Sequence, residues 1–139
     1  MSEIDVRQMN TTALAYMGDA VYEIYVRKHV IESGKYHVDN LHKSAIMYVK
    51  ASAQAKVMRA LMKGADENGE GSFLTADEYA LAKRARNHKI ASKAKNADPI
   101  DYKNATAFEA LIGYLYLSGN IDRTEEIILK AFEITEGDN

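Results

Sequence analysis

Cysteine and tryptophan are absent from the 139 residues, and proline occurs once, at Pro99. Without cysteine there are no disulfides, no thiolate metal sites and no cysteine nucleophile. The four histidines (His29, His37, His42 and His88) lack H-E-x-x-H or comparable spacing, which argues against histidine-based zinc chemistry. Long apolar runs are missing too. The longest uncharged stretch, Ala110 to Ile121, is twelve residues, well short of the roughly 20 that a membrane span requires. The N-terminal Met-Ser-Glu-Ile-Asp lacks the basic-then-apolar order of a signal peptide, so the expected location is the cytoplasm. No repeat, low-complexity tract or long linker divides the chain, and a single domain over residues 1–139 is expected.

Alternating polarity is scarce, and apolar residues recur instead at three- and four-residue intervals, which predicts an all-α fold. Leu14, Met17, Val21, Ile24 and Tyr25 mark a first helix from about Thr11 to Ile31, capped by Asn10 or Thr11 and stopped at Ser33-Gly34. A second is expected from about Asn40 to Met62, capped by Asp39. The polar, glycine-rich residues 64–72 form a surface turn, because they lack the G-K-[ST] ending of a phosphate-binding loop. Thr75-Ala-Asp-Glu78 has capping-box spacing and opens a third helix to about Arg86. Residues 88–100 read as irregular, with Pro99 barring a helix there. A fourth helix covers about Asn104 to Leu117, and Asp122-x-x-Glu125 opens a fifth to about Ile134. The tyrosines Tyr16, Tyr22, Tyr25, Tyr114 and Tyr116 follow helical spacing among aliphatic residues, which assigns them mostly to the core.

Two acids stand in strongly apolar helical stretches: Asp19 within Ala13–Tyr22, and Glu109 within Ala105–Leu117. An ionised carboxylate buried without a partner is expensive, so such groups are paired or bind a cation. Ala15, Gly18 and Ala20 surround the first, and Ala105 and Gly113 lie a turn either side of the second. Residues four apart share a helical face. Each acid therefore projects from a face stripped of bulk, and two such faces can bring both carboxylates together. All-oxygen ligation favours a hard ion such as Mg²⁺ or Mn²⁺. The alternative for either residue is a solvent-facing acid, or one paired with a distant Arg or Lys. Glu23, one turn beyond Asp19, is a candidate accessory ligand, although an ion pair with Arg27 fits its spacing better.

Between Ala80 and Ala97 there are six basic residues (Lys83, Arg84, Arg86, Lys89, Lys93 and Lys95) and no acid, in a chain whose net charge is −2. A basic strip on an otherwise acidic protein is a candidate polyanion site, with Asn87 inside it. Its plainer reading is a solvated helix end, since cations favour a helix C-terminus. His42, Lys43 and Lys50 are weaker candidates for additional phosphate contacts.

Met17-Gly-Asp-Ala-Val-Tyr-Glu23 resembles the first signature of the ribonuclease III catalytic domain, a helix with a G-D-A-V-x-E core. Thr106-Ala-Phe-Glu-Ala-Leu-Ile-Gly-Tyr-Leu-Tyr-Leu117 resembles its second, of F-E-A-L-x-G-x-x-Y/F-L type. At 139 residues the chain is expected to lack the double-stranded-RNA-binding domain that usually follows. With Leu41-His-Lys43 and Lys83-Arg-Ala-Arg-Asn87, it resembles the short bacterial branch, Mini-III. That resemblance implies a homodimeric, Mg²⁺-dependent endoribonuclease that cuts double-stranded RNA, leaving 5′-phosphate and 3′-hydroxyl ends. The substrate it implies is the base-paired stem flanking precursor 23S ribosomal RNA, with a ribosomal protein as a possible further partner and no membrane. Asp19 and Glu109 then hold the metal, which activates a water.

The long enzymes carry a Glu four residues before the aspartate and an Asp three before the second glutamate. Here those positions are Ala15 and Thr106, so Thr106 is at most an accessory, and a phosphate oxygen and waters complete the coordination. Two rivals stand beside this reading. One is a ribonuclease III-like module that binds RNA or the ribosome without cutting; the other is a helical protein–protein adaptor.

Overall fold

A computed structural model describes residues 5–34, 37–88 and 98–137 of the chain. After a 3-10 turn at Val6–Gln8 come six α-helices: α1 (Thr11–Glu32), α2 (Val38–Val49), α3 (Ala51–Met62), α4 (Ala76–Arg86), α5 (Pro99–Leu117) and α6 (Ile121–Gly137). Among the described residues there is no strand, and the all-α expectation holds. No helix is long and apolar enough to cross a membrane.

α5 is the axle. Its buried residues, among them Ala107, Phe108, Leu111, Ile112 and Leu115, occupy most of its circumference, and α1, α3, α4 and α6 pack around it. A helix apolar nearly all round has to sit inside, because no polar face is left for water. Leu14, Val26, Met58, Leu61 and Ile127 close the core against it.

The helix starts follow local chemistry. Asn10 caps α1, its Oδ1 accepting from the Thr12 amide at 2.6 Å. Ser33 and left-handed Gly34 (φ 91°) stop that helix as expected. The Thr75–Glu78 capping box is present in both directions. Glu78 serves twice: the Arg123 guanidinium grips it through two bonds of 2.8 and 2.9 Å and also donates to the Phe73 carbonyl. Burial raises the Glu78 pKa, but the Arg123 bond and the Thr75 amide outweigh it and hold it below the ordinary value.

Four boundaries differ from expectation. The single helix over 40–62 is two, starting earlier at Val38 and breaking at Lys50 (ψ 151°). The break lets α2 lie on α1 while α3 lies on α5, which one straight rod cannot do. Asp39 falls in the first turn of α2 and does not cap it. Pro99 opens α5 instead of barring it, since its missing N–H is an orphan at the first helical position and Asp98 caps the next amides, Ile100 at 2.8 Å. Asn120, not Asp122, receives the opening turn of α6, through Arg123 N–H and Thr124.

The tyrosines divide. Tyr22 is buried edge-to-face on Phe108, with ring centroids 4.9 Å apart. Tyr16 and Tyr116 are exposed, as is Ile24, contrary to their expected place in the core.

Candidate active site

α1 and α5 cross antiparallel with their backbones in contact. Leu14 stands against Gly113, and Gly18 against Glu109 and Gly113. A Cβ at position 18 would lie 1.7 Å from the Glu109 carbonyl oxygen, and one at position 113 would lie 1.9 Å from the Leu14 carbonyl oxygen. Only glycine at both positions permits that approach. These glycines are the small residues noted in the sequence beside the two acids, and their effect is to draw Asp19 and Glu109 together.

The carboxyls meet. Asp19 is exposed and Glu109 half-buried. Burial, then the Asp19 charge and a hydrogen bond with Asp19, push the Glu109 pKa up to about 8, while Gln54 works in the opposite direction. A carboxyl buried this close to another carboxylate favours its own protonated form when no cation is near. Gln54 escaped notice in the sequence, where a glutamine on a helix carries no signal. In the fold it is 2% exposed and reaches the site from α3.

The donor set is oxygen only, partly buried and short of positive charge, which suits a hard divalent cation in place of the Glu109 proton. Among the described residues no third His, Asp or Glu completes a cluster with them. Glu23 is half-buried and receives the Arg27 guanidinium at 2.8 Å, the ion pair its spacing suggested. The Thr106 hydroxyl donates to the Tyr102 carbonyl of its own helix at 2.9 Å.

The basic residues are dispersed. Lys83, Arg84 and Asn87 are exposed and Arg86 half-buried at the C-terminal end of α4. Arg84 reaches the Arg7 and Met9 carbonyls at 3.4 Å, pinning the segment before α1, and lines a shallow depression with Arg7 and Tyr114. Arg7 is a cation the sequence reading passed over. His42 and Lys43 are exposed on α2, His42 beside Glu23 and Arg27 on the other half of α1. Asp19 thus lies along α1 between two cationic groups. Lys89, Lys93 and Lys95 lie outside the described residues.

A family model of the ribonuclease III domain matches residues 12–120. The chain belongs to the ribonuclease III family. The Mini-ribonuclease 3 of Brevibacillus brevis is 48% identical over 97% of this chain and 94% of its own length. That of Enterococcus faecalis is 44% identical over 89% of each, and that of Streptococcus pneumoniae 40% identical over 96% and 99%. A crystal structure from Fusobacterium nucleatum superposes with a TM-score of 0.73 at 29% identity, covering 93% of this chain and 96% of that one. As a Mini-III-type member of the ribonuclease III family, the chain is an endoribonuclease for double-stranded RNA, and the adaptor and binding-module readings give way. Enzymes of this family depend on a metal.

The site carries a pH signature. Glu109 binds its proton more tightly folded than unfolded, so metal-free stability falls as pH rises from about 4.5 to about 8. Glu78 and Glu136 have the opposite sign: both are held below the ordinary carboxylate value, so their contribution fades below it. In EDTA the melting temperature is therefore expected to peak near pH 5 and to fall toward pH 8, by on the order of 2 kcal/mol of stability. Thermal melts across that range check it. Glu109→Gln should flatten the upper limb, and a limb unchanged in that variant would refute the assignment.

Proposed function

We propose that Asp19 and Glu109 together hold one or more Mg²⁺ ions, with Mn²⁺ as a substitute, and that the enzyme acts in the cytoplasm on the base-paired stem flanking precursor 23S ribosomal RNA. The observation that carries this reading is the meeting of the two carboxyls across the α1–α5 crossing. When bound, the ion supplies Lewis acidity at the scissile phosphate and a water of lowered pKa. The protein's part is to position and to neutralise. Glu109 would release its proton to solvent where a cation binds, and Asp19, at the exposed edge of the pair, would face the incoming phosphate. No Ser, Cys or His nucleophile is required.

A-form RNA hides its base edges, so recognition rests on phosphates, 2′-hydroxyls and shape. Lys83, Arg84, Arg86 and Asn87 form one bank of contacts and His42 and Lys43 a second, on either side of Asp19, and Lys89, Lys93 and Lys95 are assigned to the RNA from the sequence alone. A two-fold homodimer suits a duplex substrate. Support for it comes from Tyr16 and Ile24, 83% and 66% exposed, which with exposed Ala20 form an apolar stripe at four-residue spacing on α1. Asp19 lies directly beside that stripe, so a second copy seated there brings two sites to one duplex. A ribosomal protein on the precursor is a further partner consistent with the substrate.

The test is a long RNA duplex incubated with the protein in Mg²⁺ and then in excess EDTA. Cutting is expected in the first, and in the second an intact duplex that still shifts on a native gel. Intact duplex in both arms would contradict the reading. Neutralising Arg84, Arg86 and Lys89 together is expected to weaken duplex binding at least about tenfold. It should also lower the slope of log K against log salt by roughly 2–3. Cleavage of dilute RNA unchanged in a folded triple variant would remove that bank from the interface.

A further inference from the structure

Glu23 closes the signature that runs from Gly18 through Asp19, yet the α1–α5 crossing makes no use of it. It stands one turn beyond Asp19 on α1, and its carboxylate is occupied: Arg27 Nε donates to Glu23 Oε2 at 2.8 Å. A surface ion pair at four-residue spacing adds little to stability, so helix support alone is a weak reason for the pair. Its geometry is more informative.

The bond takes the Nε–H of Arg27, and among the described residues the guanidinium makes no other hydrogen bond. Its two terminal nitrogens are left for a second partner, and the side chain is 72% exposed. A guanidinium fixed at Nε presents a planar two-donor edge that matches two oxygens of a phosphate. The position suits that partner. Asp19, Glu23 and Arg27 recur every four residues on one side of α1, which puts Arg27 about 12 Å beyond Asp19 along the helix axis. A nucleic-acid duplex carries a phosphate every few ångströms, so one whose scissile phosphate stands at Asp19 brings another to Arg27. His42 of α2 lines the same groove as Glu23 and Arg27, whose wall is otherwise apolar, Val30, Leu41 and Ala45 among it. Glu23 is the one acid among the described residues lining that groove, and it is spent on Arg27.

We propose that Arg27 is a duplex-binding residue and Glu23 its positioning residue: held at Nε by Glu23, the Arg27 guanidinium takes a phosphate on the α2 side of the scissile one. The proposal rests on Asp19 lying at the cleavage site.

Charge and geometry give opposite signs for Glu23→Ala. Removing an acid from an RNA-binding face adds net positive charge, and on charge alone tightens duplex binding. If Glu23 orients Arg27, binding weakens instead, by about threefold, and Glu23→Gln, whose amide oxygen still accepts from Nε, recovers most of that loss. In the full-length chain Arg27→Gln is expected to raise KM on a long RNA duplex about 3- to 10-fold, with kcat changed less than about twofold. Duplex affinity in EDTA, where nothing is cut, should fall by the same factor, and the slope of log K against log salt should drop by about 1. A thermal melt on each preparation sets the folded concentration. Wild-type KM and salt slope in Arg27→Gln overturn the proposal, as does tighter binding by Glu23→Ala. Should Glu23→Ala fail to fold, Arg27→Gln decides alone, since its side chain lies in solvent. Asp19→Asn separates the two levels. If it is inactive while Arg27→Gln behaves as wild type, only the Arg27 role fails; if Asp19→Asn cuts normally, the cleavage site itself is misplaced and the proposal falls with it.

Discussion

Asp19→Asn is expected to lower duplex cleavage by about a thousandfold or more, roughly 4 kcal/mol of transition-state stabilisation, while making the metal-free protein more stable. The two halves come from one cause. Asp19 is one of only two carboxylates at the α1–α5 crossing, and no third acid among the described residues stands in for it. Removing its charge therefore removes half of the anionic donor set. The same charge, after burial, is what pushes the Glu109 pKa up. Without it Glu109 ionises at less cost, and the melting temperature in EDTA near pH 7.5 should rise by roughly 2–4 °C. Loss of activity caused by misfolding would lower that temperature instead. The measurement is cleavage rate beside a thermal melt on the same preparation. Activity within tenfold of wild type would dissociate Asp19 from the chemistry.

Asp19 and Glu109 were legible in the sequence because the signal is chemical contradiction: an acid where every neighbour is apolar or tiny. The glycines beside them were legible for the same reason, since Gly18 and Gly113 have no local use in a helix interior and must answer to something across from them. Gln54 offers no such contradiction. Its bond to the Val49 carbonyl depends on that carbonyl being free, and that depends on a break at Lys50 imposed by where α1 and α5 stand. No glycine or proline marks the break, so only the tertiary arrangement reveals it. Pro99 was misleading for a different reason. Proline ends a helix from within but starts one from its first turn, and the capping Asp98 just before it is what distinguishes the two. Tyr16 and Ile24 show the limit of periodicity. An apolar stripe says that a face will be covered, not whether this chain or another copy covers it. Arg84 is a related case. A count of cations finds it, but only the fold shows that it is also bonded to the Arg7 and Met9 carbonyls.

Gly18→Ala and Gly113→Ala are expected to destabilise the protein by about 3 kcal/mol or more each, against the direction that helix propensity alone predicts. In an open helix interior, alanine is favoured over glycine by about 1 kcal/mol. At the crossing the added methyl has nowhere to go. Its carbon would sit 1.7 Å from the Glu109 carbonyl oxygen in one case and 1.9 Å from the Leu14 carbonyl oxygen in the other, both backbone atoms that no rotamer change can move. The helices must part by well over an ångström, opening the packing of Leu14 and Tyr22 against Phe108 and Leu111. For a chain of this size the melting temperature should drop by roughly 10 °C. Activity should fall further than the folded fraction does, because separating the backbones separates the carboxyls they carry. Ala60→Gly, at an exposed position on α3 away from that crossing, supplies the reference. It should cost about 1 kcal/mol and leave the α1–α5 distance alone. A melting temperature that rises in Gly18→Ala would mean the crossing is looser than this geometry. Normal cleavage by a folded Gly113→Ala would mean that the meeting of Asp19 and Glu109 does not depend on backbone contact.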